Sequence, residues 1–180
     1  MTQMPVRLGI VGAGGFTRRF HIPNFVQIPG VQVVAVCNRS IDSGKAVAEE
    51  FGFDTVLTDW RELVNLPNID AVIIGTWPYM HAEVAVEALK AGKHVFTEAH
   101  MAGDLEGARD MYIAAQDNPH LKTMLSNLRV PGDRVMRKLL KDGYVGKLRQ
   151  VLDYRYNDQY IDASDELHWR QDTKFSGINF

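Results

Sequence analysis

The feature that most constrains this chain is an alternation of short apolar runs with helical periods, in which the first run ends in a cluster of glycines. Val6–Val11 reads as a buried strand that stops at Gly12-Ala13-Gly14-Gly15. Further strands are expected at Val31–Cys37, Thr55–Leu57, Ala71–Gly75, His94–Thr97 and Lys122–Ser126. Between them the spacing predicts helices over Gly15 to about Ile28, irregular near Pro23, and over Asp42–Phe51, Asp59–Leu66, Met80–Ala91 and Asp104–Gln116. Asp42 suits an N-cap, Gly52 a C-terminal stop, and Pro67 ends the short third helix. Ala71–Gly75 is apolar throughout, as a strand covered on both faces must be. Strand and helix in turn, joined by right-handed crossovers, imply an α/β doubly wound parallel sheet of the Rossmann kind.

After Leu128 the pattern changes. Pro131–Lys141 predicts a helix with Val135, Met136, Leu139 and Leu140 on one face, and Lys147–Tyr156 alternates as a strand. We therefore divide the chain into residues 1–127, a Rossmann domain, and 128–180, an incomplete start of an α+β domain. A lone amphipathic strand leaves its backbone groups and one apolar face without partners. Lys147–Tyr156 is thus expected to pair with another chain, to pack on the first domain or to be poorly ordered.

Composition narrows the function classes. The 20 Lys and Arg against 22 Asp and Glu give a formal charge of −2, which offers no concentrated basic surface for nucleic acid or an anionic membrane. The lone Cys37 allows no intrachain disulfide. The first apolar run is broken by glycines, unlike a secretory leader, and no run reaches the roughly 18 apolar residues of a spanning helix. A cytoplasmic, soluble protein is expected.

The glycine loop carries the chemistry. Following a strand and opening a helix, Gly12 would make the tight turn and Gly14 would let the backbone approach a pyrophosphate at the helix N-terminus. Thr17 stands where a third glycine is usual. An ordinary strand-to-helix turn is the plain alternative. At the end of the second strand, Asn38-Arg39-Ser40 supplies no carboxylate for a ribose diol, while Arg39 can pair with a phosphate. That pattern favours NADP and leaves NAD open.

Several segments resemble the glucose–fructose oxidoreductase / inositol dehydrogenase / MocA family. They are the glycine loop with His21-Ile22-Pro23, Asp70–Thr76 followed by His81, Ala91-Gly92-Lys93-His94-Val95-Phe96-Thr97-Glu98, and Gly143–Leu148. The resemblance implies a nicotinamide-dependent oxidoreductase that transfers hydride to or from a sugar or polyol, and a homo-oligomer. It implies that Gly12, Gly14, Gly15 and Phe16 hold the pyrophosphate, that Asn38, Arg39 and Ser40 meet the adenosine end, and that Thr76, Trp77 and Pro78 line the cleft beside His81. Glu98 would lie near the nicotinamide.

Two departures follow. The family's Glu-Lys-Pro is Glu98-Ala99-His100 here, so Ala99 supplies no charge, and His100 is the candidate replacement in a catalytic or substrate-binding role beside Glu98. Ser176–Phe180 resembles the start of the family's glycine-rich segment, beyond which its acid–base pair lies, so the chain is expected to be incomplete for catalysis. A nucleotide-binding or regulatory module without turnover is the alternative. His168-Trp169-Arg170 reads as a solvated loop, with a sugar contact as its alternative; Cys37 reads as a buried apolar residue, and no metal ligand set is recognised.

Overall fold

The computed structural model describes residues 5–126, 132–154, 156, 162, 164 and 166–177. The chain divides into two compact units, residues 1–126 with 168–180, and residues 127–167.

The first unit is built on six parallel strands: β1 (Val6–Val11), β2 (Val31–Cys37), β3 (Thr55–Leu57), β4 (Ala71–Ile74), β5 (His94–Thr97) and β6 (Thr123–Leu125). Their spatial order is β3-β2-β1-β4-β5-β6, so the chain reverses its direction of travel between β1 and β4. That reversal opens a crevice at the carboxyl ends of the strands, the usual ligand position in such sheets. The helices are α1 (Ile22–Val26), α2 (Ile41–Phe51), α3 (Trp60–Val64), α4 (Pro78–Lys90) and α5 (Leu105–Asp117).

Two cores lie on opposite faces of the sheet because strand side chains alternate. Ile10, Val36 and Ile73 pack on one face with Ile22 and Val47, while Val72 and Ile74 pack on the other with Leu63, Val84 and Leu89. Each such side chain, once buried, stabilises the fold by roughly 1.5–3 kcal/mol before conformational entropy is counted. Truncating Ile73, at 2% exposure, to alanine removes about 2–5 kcal/mol, since the packed surroundings cannot fully collapse.

Local differences from expectation have local causes. The irregular first helix contains a π-helical turn over Thr17–His21, in which the Ile22 amide reaches back to the Thr17 carbonyl. Pro23, just beyond, has no amide to donate. Ser40, not Asp42, caps α2, its Oγ accepting from the Ser43 amide at 3.4 Å. α4 begins two residues early, at Pro78, whose fixed φ and missing donor suit a first helical position.

In the second unit, α6 (Asp133–Lys141) forms as expected, with Val135, Met136, Leu139 and Leu140 exposed. Its expected start at Pro131 lies outside the described residues, as do residues 178–180 of the glycine-rich tail. The described residues of the 147–156 segment form no strand and are exposed, a correction to the sequence expectation. A strand persists only where a neighbour completes its hydrogen-bond ladder.

Residues 168–177, expected with the second domain, pack with the first unit. A short 3-10 turn (Trp169–Gln171) leads into α7 (Thr173–Ser176). Phe175 lies 4.6 Å from the Trp77 ring centroid and Trp169 lies 6.4 Å from it, so this is an aromatic contact and not a solvated loop.

Candidate functional site: a cleft at the sheet's reversal point

The ends of β1, β2 and β4 are tied together before any ligand is considered. The Gly12 amide donates to the Cys37 carbonyl at 2.9 Å, and the Gly75 amide donates to the Val11 carbonyl at 2.9 Å. Gly12 has φ +85°, and a Cβ there would stand 2.6 Å from Thr76 Cγ2, so only glycine fits the turn. A Cβ on Gly14 or Gly15 would meet nothing within 4 Å: the space over the loop is open.

Thr17 explains the missing third glycine. It is 1% exposed, and a Cβ on Gly75 would stand 2.1 Å from its Oγ1. The close approach of helix to sheet is therefore made possible by the glycine on β4's end, and the helix side of the contact carries a side chain.

Over this loop lies a cleft of about 580 Å³, bounded by Gly12 and Gly14, by Asn38, Arg39 and Ser40, and by Thr76 and Trp77. Ser43, Thr58 and Tyr79, which sequence reasoning passed over, also line it, as does Met80. The Arg39 guanidinium lies over the Trp77 ring, 5.8 Å from its centroid. The volume is that of a small-molecule or cofactor site.

The remaining expected residues sit elsewhere. Phe16 is 40% exposed and packs on Phe20 outside the cleft lining. Pro78 is buried as the first residue of α4. His81 is fully buried: Nδ1 lies 2.7 Å from the His100 carbonyl oxygen and Nε2 lies 3.0 Å from that of Thr76. Burial pushes its pKa down, against the two carbonyls and the Glu98 charge, which favour the protonated ring. His81 thus lies between the loops after β4 and β5, and in its neutral form its one N–H donates to one of the two carbonyls. The side chains of Ala99 and His100 are exposed and outside the lining.

Glu98, the first residue beyond β5, is paired with His21 through Nε2 and Oε1. Burial raises its pKa, but hydrogen bonds from His21 and Ser126, the His21 charge and the Ala99 amide outweigh it and hold the carboxyl below its ordinary value. Asn38 braces the glycine loop as well as lining the cleft, since its Oδ1 accepts from the Ala13 amide at 2.8 Å. Asn38 at a strand end and His21 behind the glycine loop were visible in the sequence; their partners were not.

The arrangement suits a dinucleotide. Gly14 leaves room for a diphosphate beside the opening amides of the first helix, which have no acceptors within it. The Thr76 hydroxyl is buried without a hydrogen-bond partner, a polar atom left for a ligand to satisfy. Among the described residues, no cluster of His, Cys, Asp and Glu is arranged to hold a metal ion, and no helix is long and apolar enough to cross a membrane.

Fold and cleft together define a dinucleotide-binding α/β protein. Residues 6–124 match the Gfo/Idh/MocA oxidoreductase family, with its NAD-binding Rossmann fold, and the chain belongs to that family. It is 28% identical to levoglucosan dehydrogenase from Pseudarthrobacter phenanthrenivorans, over 96% of this chain and 46% of that protein. Among solved structures it resembles scyllo-inositol dehydrogenase from Lactobacillus casei with bound NAD(H) and scyllo-inositol (27% identity, TM-score 0.74, 79% of this chain and 42% of that one). It also resembles a 3-ketoreductase from Actinomadura kijaniata, solved with TDP-benzene and NADP (29% identity, TM-score 0.70, 77% of this chain and 44% of that one). The chain spans about half the length of the curated relatives it matches.

Proposed function

We propose that this chain is the cofactor-binding part of a cytoplasmic, NADP-preferring oxidoreductase acting on a sugar or polyol. The observation that carries the reading is the open space over Gly14, joined in one cleft to Arg39 and Thr76. When bound, the nicotinamide would accept or supply the hydride. The protein's part is to hold the diphosphate at Gly12 to Gly15, to meet the adenosine end with Arg39, Ser40 and Ser43, and to receive the dinucleotide beside Thr76 and Trp77.

The preference for NADP rests on charge. Asn38 places no carboxylate at the adenosine end, and Arg39 is a strong partner for an extra phosphate. Fluorescence titration tests this. NADPH should bind more tightly than NADH, and Arg39→Ala should weaken NADPH by about tenfold or more while changing NADH far less, the loss of one charge-assisted contact. Equal losses for both would remove the assignment. A panel of sugars and polyols, with NADP+ and NADPH as the partners, then tests turnover.

Ala99 favours a second reading, a nucleotide-binding module without turnover, because it cannot donate a proton or charge to a substrate. Glu98 is held by His21, which also leaves it poorly placed to exchange protons. His100 remains the proposed substrate contact. Cofactor binding with no turnover across the panel would select the module. Homo-oligomerisation is also proposed. The exposed Val135, Met136, Leu139 and Leu140 support it, since such apolar stripes mark interaction surfaces, and light scattering reads it directly.

A further inference from the structure

The His21–Glu98 couple has a place in the fold that a surface ion pair does not. The two side chains are only 12% and 19% exposed. The His21 ring is walled by Phe16 at 5.3 Å and Phe96 at 5.2 Å, both edge-on, and by Phe25 at 6.1 Å. Ser126, just past β6, and the Ala99 amide also favour the ionised carboxyl. The segment after the glycine loop therefore holds the carboxylate at the end of β5 in place.

That carboxylate lies at the carboxyl edge of the β4-β5-β6 half of the sheet. In a doubly wound fold the first half takes the adenosine and the second takes the other mononucleotide. A nicotinamide ring is positively charged when oxidised and neutral once it has accepted a hydride. A fixed anion on that side distinguishes the two forms by charge alone.

We propose that Glu98 biases this site toward the oxidised nicotinamide, and that His21 is the positioning residue that holds the carboxylate where it does so. The inference rests on the dinucleotide reading of the cleft and adds to it a determinant of which redox form is retained. In the thermodynamic cycle, the ratio of the two dissociation constants sets the shift in potential of the bound couple, with tenfold in the ratio equal to about 30 mV for two electrons.

The test is a pair of titrations on each protein, with NADP+ by calorimetry and NADPH by fluorescence, at one pH and ionic strength. Glu98→Gln should raise the ratio of the NADP+ to the NADPH dissociation constant by about fivefold or more, the scale of losing one partly screened unit charge near the ring. His21→Phe, which removes the donor, should change the ratio, and His21→Gln, which keeps a donor, should restore it toward that of the unaltered protein. A purely structural role would weaken both forms equally and leave the ratio unchanged in every variant, which overturns the proposal.

Partial unfolding does not obscure the result, because it scales both constants by the same factor. Should Glu98→Gln fail to fold, Glu98→Asp, which shortens the side chain and draws the charge back, must shift the ratio in the same direction. If the unaltered protein binds neither form, the dinucleotide reading fails; if it binds both and the variants leave the ratio fixed, only the redox bias fails.

Discussion

The Asn38 side-chain oxygen accepts a hydrogen bond from the Ala13 amide at 2.8 Å, joining the end of β2 to the middle of the glycine loop. The Ala13 amide is thereby turned away from any ligand, and the loop's remaining amides are fixed in register. Asn38→Ala should leave the fold intact and weaken NADPH by about tenfold, because an unpaired loop amide costs about 1–1.5 kcal/mol. Asn38→Asp keeps the acceptor and adds a negative charge at the proposed adenosine end, so it should retain NADH and lose NADPH. Titration of both nucleotides against both variants reads the outcome; an Asn38→Asp protein that favours NADPH as before would refute the charge argument.

The Thr17–Gly75 contact predicts a stability effect. An alanine at Gly75 would place Cβ 2.1 Å from Thr17 Oγ1 and 2.6 Å from the Gly12 carbonyl oxygen. The helix or the loop must shift, and Gly75→Ala should destabilise by about 1–3 kcal/mol, as overpacking does. Thr17→Ala relieves only the side-chain clash, so the double variant should recover part of the loss and not all of it. Urea unfolding of the two singles and the double gives the coupling. Strict additivity would show that the two residues do not meet.

Most of the sheet was legible because each strand is a short apolar run bounded by glycine, proline or a capping residue. The signal is local, as in Ala71–Ile74, which is buried at every position. The glycine loop and the Arg39 end of the cleft were legible for the same reason: strand, turn and helix are contiguous. What escaped depends on contacts across long separations. Nothing near Glu98 announces that His21 closes on it, and nothing near Trp169 announces Trp77. The Lys147–Tyr156 alternation records which face a strand would bury, and among the described residues no neighbouring strand completes its ladder. His81, a cofactor contact in the family pattern, has both ring nitrogens near backbone carbonyl oxygens of Thr76 and His100, neighbours that no local sequence signal announces.

Arg7 and Asp70 give a prediction about pH. Asp70 accepts from the Arg7 amide at 2.8 Å and from Nε and Nη2 of the same residue at 3.0 and 2.8 Å, joining the start of β1 to the residue before β4. Hydrogen bonding to Arg7, only partly opposed by burial, lowers the Asp70 pKa from 3.8 to about 2. A carboxyl whose folded pKa is depressed stabilises the fold fully above its unfolded value and loses that contribution as pH falls through the folded one. The pair is about one-third exposed, so solvent screening keeps the effect modest. Asp70→Asn should be less stable than the unaltered protein at pH 6, and the two should converge as pH approaches 2. Parallel urea midpoints across that range would show that the pair contributes nothing to the acid response.

Cys37 ends β2 at 4% exposure and lines the cleft. Burial, with the charges of Asp59 and Glu62, pushes its thiol up to about 11. The thiolate is the reactive form, and at pH 8 a thiol with that pKa is ionised in only about one molecule in a thousand. A disulfide reagent at pH 8 should therefore modify the folded protein slowly and the guanidinium-unfolded protein at once. Raising the pH toward 10 should accelerate the folded-state reaction by about tenfold per unit, as the thiolate fraction grows. Bound NADPH should slow it further, because the same cleft wall would then be covered. Rapid labelling of the folded protein at pH 8, unaffected by NADPH, would mean that Cys37 is neither desolvated nor beside the nucleotide.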